Sequence, residues 1–90
     1  MVTLKIPKIL ESCCGGKSSL EMDATSLRQL IARLESDYPK LYASMCSESG
    51  RPRRHIHLFR GDGSLLNVDD LDAAFKTREV IFVFQAVSGG

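Results

Sequence analysis

Residues 80–87, Val80-Ile81-Phe82-Val83-Phe84-Gln85-Ala86-Val87, constrain this chain more than any other stretch. The run is apolar, rich in β-branched and aromatic side chains, and almost uninterrupted, which fits a strand in the middle of a sheet. Such a strand needs neighbours along both edges. A chain of 90 residues has room for one small core, so those neighbours must come from the elements upstream.

The upstream elements can be read from period and punctuation. Val2, Leu4 and Ile6 alternate with Thr3 and Lys5, predicting a strand over residues 2–10 that is interrupted at Pro7, which cannot donate a ladder hydrogen bond, and closes at Ile9-Leu10. Cys13-Cys14-Gly15-Gly16 reads as a turn, after which Ser18-Ser19-Leu20-Glu21-Met22 returns as the second arm of a hairpin. Capping residues between Asp23 and Ser26 precede Leu27, Leu30, Ile31 and Leu34, which share one helical face. Pro39 disfavours helical geometry at Tyr38 and so stops that helix, while Leu41, Tyr42 and Met45 predict a short further turn.

A polar loop over residues 47–54 leads to a strand over 55–60, ended by Gly61-Asp62-Gly63. Leu65, Leu66 and Val68 suggest a short strand, and residues 69–75 one turn of helix with acidic residues at its N-terminus. Laying the last strand beside the first, parallel to it, gives the compact arrangement. The expectation is an α+β roll with a mixed sheet of four to five strands, one main helix on one face and none on the other.

Composition narrows the function classes. Twelve Lys and Arg against eleven Asp and Glu leave a net charge of +1, so no global field recruits nucleic acid or anionic membrane. No apolar run approaches the roughly 18 residues of a membrane span, and the opening Met-Val-Thr-Leu-Lys-Ile-Pro lacks signal-peptide order. Three cysteines, two of them adjacent, argue against a disulfide framework. A reducing, cytoplasmic setting is expected.

Few residues invite chemistry. Cys13 and Cys14 lack the paired C-x-x-C spacing of a metal or redox site and read as incidental. His55 and His57 share a strand face, yet no third ligand follows, so they read as satisfied or solvent-facing. Arg51, Arg53 and Arg54 could touch RNA, ATP or an acidic rim on another protein; a solvated loop is the simpler reading. No Ser-His-Asp order, catalytic carboxylate pair or phosphate-cradling Gly loop occurs, so no enzyme activity is expected of the chain alone.

The remaining feature is positional. Val87-Ser88-Gly89-Gly90 directly follows the strong strand. A four-residue tail can reach roughly 13 Å when extended, and glycines pass through channels that exclude any side chain. In the strand before it, Ile81 and Val83 share one face, and Phe82 and Phe84 the other. The two rings, beside Leu58, would form an apolar patch that calls for a partner, unless loops wrap them into the core.

Taken together, the opening Val2-Thr3-Leu4-Lys5-Ile6-Pro7-Lys8-Ile9-Leu10, Gly15-Gly16, the helix around Leu27-Leu30-Ile31-Leu34-Glu35, the segment from Leu71 to Ala74 and the closing Ala86-Val87-Ser88-Gly89-Gly90 resemble the ubiquitin-like β-grasp sulfur carriers of the ThiS/MoaD family, and within it the CysO type. The likeness runs nearly end to end, and the closing segment is its specific part. The chain departs from the family at Arg60-Gly61-Asp62-Gly63, where an Asn-Gly or Asn-Asp-like turn is usual, at Lys76-Thr77-Arg78-Glu79, where many relatives have an acidic Gly turn, and at Gln85, where Pro is usual.

The resemblance implies a β-grasp domain over residues 1–86 and a flexible tail over 87–90. It implies that a separate ubiquitin-activating-type enzyme adenylates the Gly90 carboxylate with ATP, that a sulfur donor displaces AMP to leave a thiocarboxylate, and that a sulfur-accepting synthase consumes it. Gly90 would carry the sulfur; Gly89, Ser88 and Val87 would give passage; Phe82, Phe84 and Leu58 would dock. The carrier would be a monomer when free, bind no cofactor permanently, and in some cases need a protease to expose Gly90. Two other readings stand beside this one: a ubiquitin-like modifier joined to lysines through Gly90, and a plain interaction domain with an inert terminus.

Overall fold

The last strand lies where its composition demands. In a computed structural model, which describes residues 1–86, β4 (Val80–Gln85) sits inside a mixed sheet with β1 (Val2–Lys5), β2 (Ser19–Met22) and β3 (Ile56–Arg60) in the order β2-β1-β4-β3. Parallel pairing sets Leu4 opposite Ile81, and antiparallel pairing sets Leu58 opposite Val83. β2 closes the other side of β1 with Leu20 opposite Leu4. The inward residues of all four strands are buried with Leu27, Leu30 and Leu34 of α1 (Leu27–Asp37) and Leu41 and Met45 of α2 (Pro39–Met45). This is the expected α+β roll, with the expected hairpin and parallel closure.

Local chemistry sets the helix bounds. Ser26 is extended and its hydroxyl accepts the Gln29 N–H, while Gln29 Oε1 accepts from Thr25 N–H at 2.9 Å, a reciprocal cap. Pro39 breaks the path at Tyr38 and then opens α2, where its missing N–H has no cost.

Three expectations are corrected. Residues beyond Pro7 do not continue the first strand: Lys8–Cys14 form a 3-10 helix that starts at the preset φ of Pro7, buries Leu10 and Cys14, and stops at Gly15 with φ 71°. Residues 69–75 are not helical. The Leu71 and Ala73 carbonyls accept the Arg28 and Leu27 N–H groups at 2.8 and 3.1 Å, and Phe75 N–H donates to Thr25 O at 2.9 Å. The segment therefore satisfies the open N-terminus of α1 instead of its own backbone. The strand expected at Leu65, Leu66 and Val68 reduces to one bridge, Phe59 to Leu65, with Leu66 N–H on Leu58 O at 2.8 Å. That fragment shields part of the free edge of β3.

Among the described residues one charged side chain is buried, and it anchors the start of β4. Glu79 is buried, and both its oxygens accept from Arg60 Nη1 at 2.8 and 2.7 Å. Glu79 Oε1 also accepts Lys76 N–H at 2.7 Å, and the Glu79 carbonyl accepts Thr3 N–H at 2.9 Å. The same arginine reaches Ala74 O at 3.3 Å. Removing one partner of such a pair leaves a charge without compensation. Arg60→Ala is expected to cost about 3–5 kcal/mol in urea unfolding, and Arg60→Leu with Glu79→Leu to cost less than Arg60→Ala alone. A double substitution as harmful as the single one contradicts this reading.

The turn before Glu79 holds Arg78 at φ 59°, a left-handed conformation that disfavours a side chain. Arg78→Gly should raise stability by about 1 kcal/mol after the entropy glycine loses on folding, read as a higher urea midpoint at unchanged m-value.

Candidate functional site: the outer face of the sheet

Alternation along β4 divides its side chains between two environments. Ile81 and Val83 are buried, whereas Phe82 and Phe84 point the other way and are 45% and 54% exposed. Loops do not wrap the rings. In β3, His57 lies opposite Phe84 and Phe59 opposite Phe82. Phe59 meets Phe84 edge to face at 6.4 Å, and the His57 ring is 6.4 Å from Phe84, so three aromatic rings and an imidazole form one outward patch. Lys5 of β1 is paired with Phe82 and exposed at its border.

Leu58 does not belong to this patch. It is 1% exposed, opposite Val83, because it shares strand parity with Ile56 and faces the helices. The outward residues of β3 are His57 and Phe59, which the docking set lacked. The alternation His55-Ile56-His57-Leu58 carries that signal: histidines at 55 and 57 alternate with the buried aliphatics Ile56 and Leu58.

Beyond Gln85 the ladder continues by one bond, with Ala86 N–H donating to His55 O at 2.8 Å. The chain is thus held to β3 up to Ala86. The site expectations for Val87, Ser88, Gly89 and Gly90 lie outside the described residues. Gln85 keeps a buried Oε1 with no hydrogen-bond partner among the described residues.

No protein-family model matches the chain. The sulfur carrier protein CysO of Mycobacterium tuberculosis is 26% identical to it, over 99% of this chain and 98% of that protein. In the crystal structure of the Amycolatopsis orientalis BexX/CysO complex, a chain 27% identical superimposes with a TM-score of 0.83, covering all of both chains. This chain resembles the ubiquitin-like sulfur carriers of the CysO type. SAMP1 from Haloferax volcanii shares the β-grasp fold at 21% identity, with a TM-score of 0.80 over 99% of this chain and 98% of that one.

The other candidate groups of this CysO-like chain divide by structure. Among the described residues no three of His, Cys, Asp and Glu gather where a metal could sit. Burial pushes the Cys46 thiol up to about 11 and raises that of Cys14, whose Sγ lies 3.3 Å from Lys17 O. Both remain protonated near neutral pH and are poor nucleophiles. Cys13 is half-buried, 3.4 Å from Ser44 Oγ. The arginine triplet is split: Arg51 pairs with Asp69 at 3.1 Å, and Arg53 binds Ala43 O at 3.1 and 3.3 Å. Arg54 is exposed and makes no ion pair among the described residues.

Parity makes a stability prediction. Leu58→Ala is expected to cost about 2–5 kcal/mol, whereas Phe82→Thr and Phe84→Thr should each stay within about 1 kcal/mol of the parent. Urea unfolding distinguishes them, and a large loss from either Phe substitution would mean that the rings serve the core.

Proposed function

We propose that this chain is a sulfur carrier whose Gly90 carboxylate is adenylated by a separate enzyme and then converted to a thiocarboxylate. The reading is carried by the end-to-end similarity to CysO, joined to a sequence in which Ser88-Gly89-Gly90 follows the central strand by two residues. A terminal carboxylate with a pKa of about 3.3–3.7 is an anion at neutral pH and a poor electrophile. Its oxygen attacks the α-phosphorus of ATP and releases pyrophosphate. A sulfur nucleophile then adds to the carbonyl carbon and expels AMP, leaving sulfur on Gly90.

The body's part in this is presentation. β4 is fixed by ladder bonds on both edges and continues to Ala86, so a rigid sheet positions the root of residues 87–90. Gly89 and Gly90 can enter a channel too narrow for a Cβ, with Ser88 and Val87 contacting its mouth. Phe82 and Phe84, with Phe59 and His57, supply the apolar surface that receives the activating enzyme and later the sulfur-accepting synthase. The Amycolatopsis CysO forms a complex with BexX, which supports a partner protein for this chain too. The chain is a co-substrate in this scheme, and the catalytic groups belong to its partners.

A modifier role through Gly90 shares the adenylate, and a relative of this fold carries the name small archaeal modifier protein. Incubation with the activating enzyme, ATP and a sulfur source, followed by intact-mass measurement, separates the two. Replacement of one oxygen by sulfur on Gly90 is the expected product. A ladder of lysine conjugates supports the modifier instead, and an unchanged mass contradicts both.

A further inference from the structure

The sequence placed three arginines before β3, and the structure shows where they lie: at the root of the tail. His55, whose carbonyl holds Ala86 N–H at 2.8 Å, directly follows Arg53 and Arg54, so the Cα of Arg54 is about 3.8 Å from that of the anchoring residue. Of the three, Arg51 is neutralised by Asp69. Arg53 donates from Nε and Nη2 to the Ala43 carbonyl and makes no ion pair among the described residues. Arg54 is exposed without an ion pair among the described residues. Both line a shallow groove of about 230 Å³ along the outer edge of β3, together with Leu65, which is 62% exposed, and His57 of the aromatic patch. In a chain whose net charge is +1, two cations without an ion pair among the described residues line this one groove.

Resting on the reading of Gly90 as the activated end, we infer that Arg53 and Arg54 form a basic collar that meets carboxylates on the rim of the channel receiving the tail. Reach decides between that rim and the nucleotide. A threaded tail of four residues carries Gly90 roughly 13 Å from Ala86, whereas an arginine guanidinium lies at most roughly 7 Å from its own Cα. The collar therefore falls short of the adenylate and touches the protein surface around the channel entrance. Continuity with His57 and the phenylalanines makes the whole a surface with an apolar centre and a basic margin, complementary to an apolar patch bordered by acid. Such margins act on encounter rate and salt dependence more than on the chemical step.

The test is pyrophosphate exchange with ATP, catalysed by the ubiquitin-activating-type enzyme of the source organism, with carrier concentration varied at low and high salt. Arg54→Glu should raise KM about tenfold and Arg54→Ala about threefold, kcat staying within about twofold, and Arg54→Glu should weaken the advantage of low salt. Arg78→Glu changes net charge by the same amount from the opposite end of β4 and should leave KM near the parent value. Equal effects from Arg54→Glu and Arg78→Glu, or no effect from Arg54→Glu, overturn the collar. Deleting Gly90 tests the underlying reading separately. Exchange that depends on Gly90 but ignores Arg54 removes the collar alone; exchange that survives the deletion removes both.

Discussion

The parallel pairing of β1 with β4 is the constraint from which the rest of the molecule follows. It inserts the most apolar segment of the chain between two neighbours, β1 pairing with residues 80–82 and β3 with residues 81–85. A parallel pair cannot be joined by a tight turn. The intervening chain must cross over, and here it does so through α1 and α2, which bury their leucines against Leu4, Ile81 and Leu58. One pairing thus determines which face is core and which is bare. The exposed phenylalanines follow from that division, since a residue between Ile81 and Val83 has to point away from the helices.

β4 is held at both ends by different means. At its start, Glu79 is one of few polar groups taken into the interior, and its carboxylate is shared between Arg60 and a turn of its own segment. At its finish, an added ladder bond from Ala86 to His55 carries order one residue past the strand. A handle of this design suits a reactive end that must be delivered elsewhere. Rigidity in the body lowers the entropy lost when a partner takes hold, and glycine at the tip removes steric barriers to entry. In the proposed role the fold contributes position and surface, and the chemistry belongs to a partner.

Much of this was legible in the residues. Alternation at Val2 and Leu4, the 3.6-residue repeat from Leu27 to Leu34, and the parity of Ile81 to Phe84 each reflect a local rule that tertiary structure then obeyed. The elements that could not be read were decided by distant hydrogen bonds. Residues 69–75 have helical composition, yet their carbonyls serve the N-terminus of α1. Lys8–Cys14 are the exception, bounded locally by extended Pro7 at one end and left-handed Gly15 at the other. Leu58 shares the parity of Ile56, so the histidines at 55 and 57 already mark the opposite, outward positions. The pairings of Arg51 and Arg53 depend on Asp69 and Ala43, 18 and 10 residues away, and no sequence period reports them.

Amide hydrogen exchange of the chain, alone and with the activating enzyme proposed for it, tests the central claim most directly: one strand serves the core on one side and, in the proposed role, a partner on the other. Leu4 and the amides of Ile81 to Val83 should exchange only through global unfolding in both states. New protection on binding should fall in residues 53–59 and 82–86, leaving α1 and α2 unchanged. Protection gathered instead on the helices, or β4 amides that exchange as fast as the 47–54 loop, would contradict the account.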